Sequence, residues 1–243
     1  MKCIILAAGY ATRLYPLTEN FPKPLLSVAG RTIMDILIDD VASSGKIDEY
    51  VVISNSKFYS HFVSWSATRS ERITVLDDGT STNETRLGAV RDIEFAVKQL
   101  GISDDTLVMA GDNLLNFSLC TFIDYAVMRG ESCVMRYFEP ETLRLSKSGV
   151  LVLGDGDRVV KMQEKPAVPE SNWCCPPFYF LTRGAINRIS EALCDSCGSD
   201  APGSFIEWLA ARDQVYAMEM PGRRYDIGNL ESYERVQREY IPL

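Results

Sequence analysis

The segment with the clearest chemistry is a run of small residues followed by an arginine and then a lysine: Leu6-Ala7-Ala8-Gly9-Tyr10-Ala11-Thr12-Arg13 leads to Phe21-Pro22-Lys23-Pro24-Leu25. Small side chains let backbone N–H groups come close to an oxyanion. Arg13 adds a fixed fork of donors suited to phosphate, and Lys23 a compact ammonium held between two prolines. Two cations thus converge on one anion. The segment contains neither G-x-x-x-x-G-K-[ST] nor G-x-G-x-x-G, so hydrolysis of the P-loop kind and dinucleotide binding lose ground. Three further groups carry charge at marked positions: Asp112 in Ala110-Gly111-Asp112-Asn113, the pair Glu164-Lys165 before Pro166, and Asp226 in Tyr225-Asp226-Ile227-Gly228-Asn229.

These residues need elements to hold them. Short β-branched runs at Cys3 to Leu6, Tyr50 to Ser54, Ile73 to Leu76 and Thr106 to Ala110 read as strands. Apolar residues at helical spacing between them, over Thr32 to Ser44, Phe58 to Thr68 and Gly88 to Leu100, read as crossover helices. That alternation predicts βαβ units and a largely parallel sheet. The loop after the first strand then lies at the carboxyl edge, where open α/β sheets take their ligands.

Beyond about residue 115 the pattern changes. Ser132 to Tyr137, Gly149 to Leu153, Val159 to Glu164 and Phe178 to Leu181 read as strands separated by polar turns such as Gly154-Asp155-Gly156-Asp157, an inserted antiparallel part. Helices at Arg183 to Leu193 and Ser204 to Ala211, a strand at Val215 to Met220 and a helix at Asn229 to Tyr240 complete the reading. The predicted fold is α/β: a Rossmann-like three-layer domain with a mixed, mainly parallel central sheet and an inserted antiparallel acceptor-binding part. It is read as one domain over 1–243, with a nucleotide-binding half to about 115 and an acceptor-binding half from about 116.

The 243 residues are 46% hydrophobic, enough for a full core, and carry a net charge of −8. That acidity argues against nucleic-acid backbone as the ligand but leaves a small phosphorylated substrate open. The N-terminal apolar run is too short for a signal peptide, no stretch approaches a membrane span, and seven cysteines form no regular framework. A cytoplasmic protein without a membrane partner is expected, as a monomer or small homo-oligomer.

Leu6 to Lys23, continued by Pro24-Leu25 and the Val28-Ala29-Gly30 turn, resembles the signature of the sugar-phosphate nucleotidylyltransferases, of the glucose-1-phosphate thymidylyltransferase-like kind. In that family a Gly-x-Gly-Thr-Arg loop leads to Pro-Lys-Pro-Leu. Ala110-Gly111-Asp112-Asn113 resembles the family's first metal site, Glu164-Lys165-Pro166 its sugar-phosphate motif, and Tyr225 to Asn229 its second metal site. The four motifs occur in the family's order along nearly the whole chain. One departure is plain: Ala11 stands where the second loop glycine is found. No long C-terminal repeat follows Asp226, so the resemblance is to the short form without an added β-helix domain.

The resemblance implies transfer of an NMP group from a nucleoside triphosphate to a sugar 1-phosphate, with pyrophosphate leaving. A phosphate monoester is mostly dianionic at neutral pH, so no general base is demanded, in keeping with a single histidine, His61, in a predicted helix. What is needed is positioning and relief of crowded negative charge, the office of Mg²⁺ held by Asp112 and Asp226. Arg13 and Lys23 take the catalytic role, while Leu6, Ala7, Ala8, Gly9, Tyr10, Ala11 and Thr12 line the triphosphate, with Asp112 beside it. Lys165 matches the residue that contacts the acceptor phosphate and Glu164 the one that holds acceptor hydroxyls. Gly149 matches the glycine along the acceptor, and Tyr179 is a candidate for the same pocket, with core packing as its rival explanation. Arg86 and Gly88, in Thr85-Arg86-Leu87-Gly88-Ala89, match the turn that meets the base.

Two other functions fit the same residues. A cytidylyltransferase acting on phosphocholine or another phosphorylated alcohol would use Trp173, Phe178 and Tyr179 around a cationic headgroup. A non-catalytic nucleotide-sensing subunit is disfavoured because both aspartates, Arg13 and Lys23 are present. Cys194 and Cys197 have C-x-x-C spacing without a second pair, and Arg223-Arg224 reads as a solvated turn.

Overall fold

The computed structural model describes residues 1–241. Two compact units emerge, both assembled from separated stretches of chain: of the described residues, 1–86, 110–121 and 221–241 form one, and 87–109 and 122–220 the other. The halves expected to divide near residue 115 are therefore interleaved, with the chain's last segment belonging to the same unit as its first. Elements are numbered below along the whole chain.

The first unit contains β1 (Lys2–Leu6), β2 (Ser27–Val28), β3 (Arg31–Thr32), β4 (Glu49–Ser54), β5 (Ile73–Asp77), β7 (Leu114–Leu115) and β14 (Arg224–Tyr225), with helices α1 (Ile33–Ala42), α2 (Tyr59–Ser66) and α9 (Leu230–Glu239). Strands β1, β4 and β5 pair in parallel, Leu6 level with Ile53 and Ile53 with Leu76. The loops leaving them accordingly open from one edge. Cys3, Ile4 and Ile5 are fully buried, as are Val51, Val52 and Ile53, the near-continuous apolar run expected of parallel strands covered on both faces. Helix α1 starts at Ile33 because Thr32 caps it: its hydroxyl accepts the Asp35 amide at 3.0 Å while the Asp35 carboxylate accepts the Thr32 amide at 3.3 Å. Ile33, Met34, Leu37, Ile38 and Val41 form its buried stripe.

The second unit contains β6 (Thr106–Ala110, whose last residue falls in the first unit), β8 (Ser132–Phe138), β9 (Gly149–Leu153), β10 (Val159–Glu164), β11 (Trp173–Cys175), β12 (Phe178–Leu181) and β13 (Val215–Glu219). Its helices are α3 (Ala89–Leu100), α4 (Cys120–Arg129, whose first two residues fall in the first unit), α5 (Thr142–Leu145), α6 (Arg183–Ile186), α7 (Ile189–Cys194) and α8 (Gly203–Ala210). The ladder runs β10–β9–β11–β8–β12–β6, antiparallel at each step. Strand β13 lies parallel to β8 along Ser132 to Arg136. The strands read from sequence at 149–153, 159–164 and 178–181 appear with those limits.

The continuous helix expected over 183–193 is broken instead: α6 closes at Asn187, and Arg188 at φ −89°, ψ 3° leaves helical geometry before α7 begins. Helix α4 and strand β11 escape the sequence reading. Of α4 only Phe122, Ile123 and Ala126 are buried, while Val127 and Met128 are 46% and 83% exposed and blur the stripe. Strand β11 is a mere three residues long.

Candidate active site

The loop after β1 is held at both ends and open in the middle. Ala7 donates its amide to the Ile53 carbonyl at 2.9 Å, and Asn55 Nδ2 donates to the Ala8 carbonyl at 2.9 Å. Among the described residues the amides of Ala8, Gly9, Tyr10 and Ala11 donate to no acceptor. Consecutive unpaired N–H groups at a sheet edge are an anion cradle. Ala11 is in the left-handed region (φ 47°, ψ 41°), and its carbonyl accepts the Leu14 amide at 2.9 Å and the Thr18 hydroxyl at 2.8 Å. Those bonds turn the chain into a short 3₁₀ helix, Thr12–Leu14, which places Arg13 on the surface. There the guanidinium forms no hydrogen bond or ion pair with the described residues.

Lys23 opens a second 3₁₀ turn, Lys23–Leu25, between Pro22 and Pro24. Its side chain is buried, and its ammonium donates to Asp112 Oδ2 at 2.6 Å. Asp112 is brought there by Gly111, whose amide donates to the Leu6 carbonyl at 3.0 Å and where a Cβ would stand 3.0 Å from Ile5 Cγ2. Partial burial pushes the Asp112 carboxyl up. The Lys23 ammonium outweighs that by charge and hydrogen bond, helped by the Arg224 charge, so the group lies below the usual carboxylate range.

Asn113 and Arg224 are site residues that the sequence reading missed. Asn113, 2% exposed, donates to Asp112 Oδ1 at 3.2 Å and accepts from Arg224 Nη1 at 2.9 Å. Arg224 is therefore a half-buried support for the Asp112 turn, which corrects its reading as part of a solvated turn. Asn113 sits inside the quoted Asp112 motif, and the adjacency of Arg224 to Asp226 was the available signal. Strands β7 and β14 pair Leu115 with Arg224 and Leu114 with Tyr225. Asn113 precedes β7 and Asp226 follows β14 directly in the chain.

No group of three or more Asp, Glu, His or Cys side chains suited to a metal occurs among the described residues. Asp112, its carboxyl drawn below the usual range, and Asp226, just past the end of β14, are oxygen donors of the kind Mg²⁺ takes, one or two carboxylates with phosphates and waters completing its shell.

The second unit gathers the remaining candidates. Glu164 on β10 is paired with Gly149 on β9, which is paired in turn with Cys175 on β11. The Glu164 side chain is 15% exposed, and its only ion pair among the described residues is with the Lys165 ammonium at 4.0 Å. Burial pushes its carboxyl up, Lys165 pulls it down, and Glu207 and Asp200 push it up again, so it lies above the usual range. Lys165 has a left-handed backbone (φ 49°) fixed by its amide donating to Ser148 O at 3.0 Å. Tyr179 is 3% exposed in β12, flanked by Val108 of β6 and Val134 of β8. Its position is that of a core residue.

Gly88, next to Arg86 at the unit boundary, has φ +91°, and a Cβ there would meet Ser199 O at 2.5 Å. The first amides of α3, those of Ala89 and Val90, donate to the Asp200 and Ser199 carbonyls at 3.1 and 3.0 Å. A glycine at 88 thus has a packing reason of its own. Arg86 is exposed and donates to the Asn83 carbonyl at 2.9 Å. Neither Cys194 nor Cys197 of the C-x-x-C pair is in a disulfide, nor are the buried Cys174 and Cys175.

Loop amides without acceptors, an arginine without a partner among the described residues and a lysine–aspartate pair lie along one sheet edge of an α/β unit, and the chain matches the Nucleotidyl transferase family over residues 2–241. It belongs to that family. A glucose-1-phosphate adenylyltransferase of Fervidobacterium nodosum is 24% identical over 98% of this chain and 60% of its own length. The bifunctional protein GlmU of Methanococcus vannielii is 28% identical over 94% of this chain and 52% of its own. The chain spans about half to two-thirds of the length of these curated relatives. A UDP-glucose pyrophosphorylase solved with UDP-glucose superposes with a TM-score of 0.83 at 19% identity, covering 98% of this chain and 97% of that one. The Rossmann-like α/β fold expected from the sequence is therefore the fold present. No helix among the described residues is long and apolar enough to cross a membrane.

Proposed function

We propose that the chain is a sugar-1-phosphate nucleotidylyltransferase, transferring an NMP group from a nucleoside triphosphate to a sugar 1-phosphate and releasing pyrophosphate. The observation that carries the proposal is the first unit's sheet edge, where the unpaired amides of residues 8–11, the unengaged Arg13 and the Lys23–Asp112 pair at 2.6 Å lie on adjoining segments. In this reading the amides of Ala8 to Ala11 hold the triphosphate, with Leu6, Ala7 and Thr12 shaping the loop. Arg13 neutralises charge that grows on the leaving pyrophosphate. Lys23 gives its ammonium to the phosphates when they arrive. Asp112 and Asp226 would hold Mg²⁺, which when bound offsets the negative charge crowding at the α-phosphorus.

The acceptor falls to the second unit. Glu164, a half-buried carboxylate, suits the hydroxyls of a sugar, because a hydrogen-bond donor relieves an acceptor that burial has partly stripped of water. Lys165 suits the acceptor phosphate, Gly149 lets the acceptor lie against backbone, and Tyr179 supports that wall from the core. Arg86 and Gly88 flank the turn read as meeting the base. A cationic alcohol is less well served: Trp173 already faces the Arg136 guanidinium at 4.7 Å, while Phe178 is fully buried and Tyr179 nearly so.

The test is a pyrophosphate-release matrix of nucleoside triphosphates against sugar 1-phosphates and phosphocholine, with and without Mg²⁺. Turnover is expected with at least one sugar 1-phosphate and to be abolished by EDTA. Turnover with phosphocholine alone, or none with any pair, would overturn the reading.

A further inference from the structure

Glycine at the start of a helix needs a reason, and at position 203 the backbone supplies none. Gly203 opens α8, where alanine is favoured over glycine by about 1 kcal/mol in a helix interior, and its φ lies outside the left-handed region. A Cβ built there would lie 2.0 Å from Glu164 Oε2, 2.7 Å from Met162 Cε and 3.2 Å from Glu164 Cδ. Gly149 meets the same two side chains: a Cβ there would lie 2.5 Å from Met162 Cε and 3.2 Å from Glu164 Oε2. The Glu164 carboxylate thus stands in space that two residues without side chains leave open.

We propose that Gly203 is a positioning residue, whose missing side chain sets where the Glu164 carboxylate stands and thereby how tightly the acceptor is held. The inference rests on the reading of Glu164 as the residue that binds the acceptor. A contrast within the molecule separates this role from ordinary packing. At Gly88 the obstructing atoms are backbone, Ser199 O and Asp200 Cα, and cannot yield without moving the chain. At Gly203 both obstructing groups are the ends of flexible side chains, so Gly203→Ala leaves the fold intact and displaces the carboxylate. Asp200 and Glu207 carry the like charges that act on it, so a displaced Glu164 changes its electrostatic surroundings as well as its reach.

The experiment compares wild type, Gly203→Ala, Glu164→Gln and the double variant, using the nucleotide and sugar 1-phosphate that wild type turns over best. For Gly203→Ala the acceptor KM should rise by about 10-fold or more, the scale of one hydrogen bond to a charged group, while the nucleotide KM and Tm hold. In the Glu164→Gln background the same change should add little, because the two act through one atom. An acceptor KM that stays at the wild-type value, or an equal rise in both backgrounds, overturns the inference. Titration of the Glu164 carboxyl by ¹³C NMR, with and without Gly203→Ala, reads the positioning without turnover, and coincident curves sink it. Failure of the functional reading is distinct: wild type is then inactive on every pair, whatever the two titration curves do.

Discussion

Among single residues, Ala11 carries the most informative departure. The family pattern has glycine there, and the structure gives the reason: the residue must adopt φ 47° so that its carbonyl can accept from Leu14 and Thr18 and turn Arg13 outward. Alanine tolerates that conformation at a cost of about 1 kcal/mol. Ala11→Gly is therefore expected to raise Tm by about 3 °C, the shift that 1 kcal/mol produces in a domain of this size. Differential scanning calorimetry checks it, and a lower Tm would show that the methyl group packs favourably. The presence of Asp112, Lys23 and Glu164 was legible because each falls in a short motif. Their partnerships were not, since Lys23 meets Asp112 across 89 positions and Arg224 meets Asn113 across 111, and a sequence pattern carries no information about such distances.

The elements convert those residues into a site by their ends rather than their middles. Strands β1, β4 and β5 finish level, Gly111 is drawn against Ile5 and Leu6, and the β7–β14 ribbon brings the segment before Asp226 beside the one after Asp112. Helix α3 is fixed in the same manner, through its first amides on Ser199 and Asp200. Gly88→Ala should therefore destabilise the protein by about 3 kcal/mol, because it adds both a strained backbone and a clash with main chain. Urea unfolding would register this as a lower midpoint at unchanged slope, and an unchanged midpoint would mean the 199–200 loop yields freely. Long strands with buried apolar runs were readable to the residue, as at 149–153 and 178–181. The two-residue ribbons were not, since two residues make no periodicity.

At the scale of the whole molecule, acid stability follows from carboxylates displaced in opposite directions. Burial raises the Asp35 carboxyl, but hydrogen bonds from Thr32 and Trp65 and the Arg69 charge bring it below the usual range. Glu49 is lowered by the Lys2 hydrogen bond against partial burial, and Asp112 is lowered as described. Such groups contribute stability that is complete above their unfolded values, about 4, and is lost as pH falls through the lower folded ones. Glu164 and Asp78, both raised first by burial, act oppositely: their contribution is present below the unfolded value and lost as pH rises through the folded one. Unfolding free energy measured in urea from pH 3 to 7 should fall steeply below about pH 4, and Glu164→Gln should flatten the shallow decline above it. A profile that rises continuously to pH 3 would refute the assignment. The sequence by itself determined the α/β class, the order of the motifs and the identity of the charged groups, because hydrophobic period and local motif chemistry act over a few residues. Only the tertiary structure decided that Lys23 is paired, that Arg224 supports the Asp112 turn, that Ala11 is left-handed, and that Gly203 frames Glu164, because each depends on atoms brought together from distant parts of the chain or on a backbone angle the loop is forced to adopt.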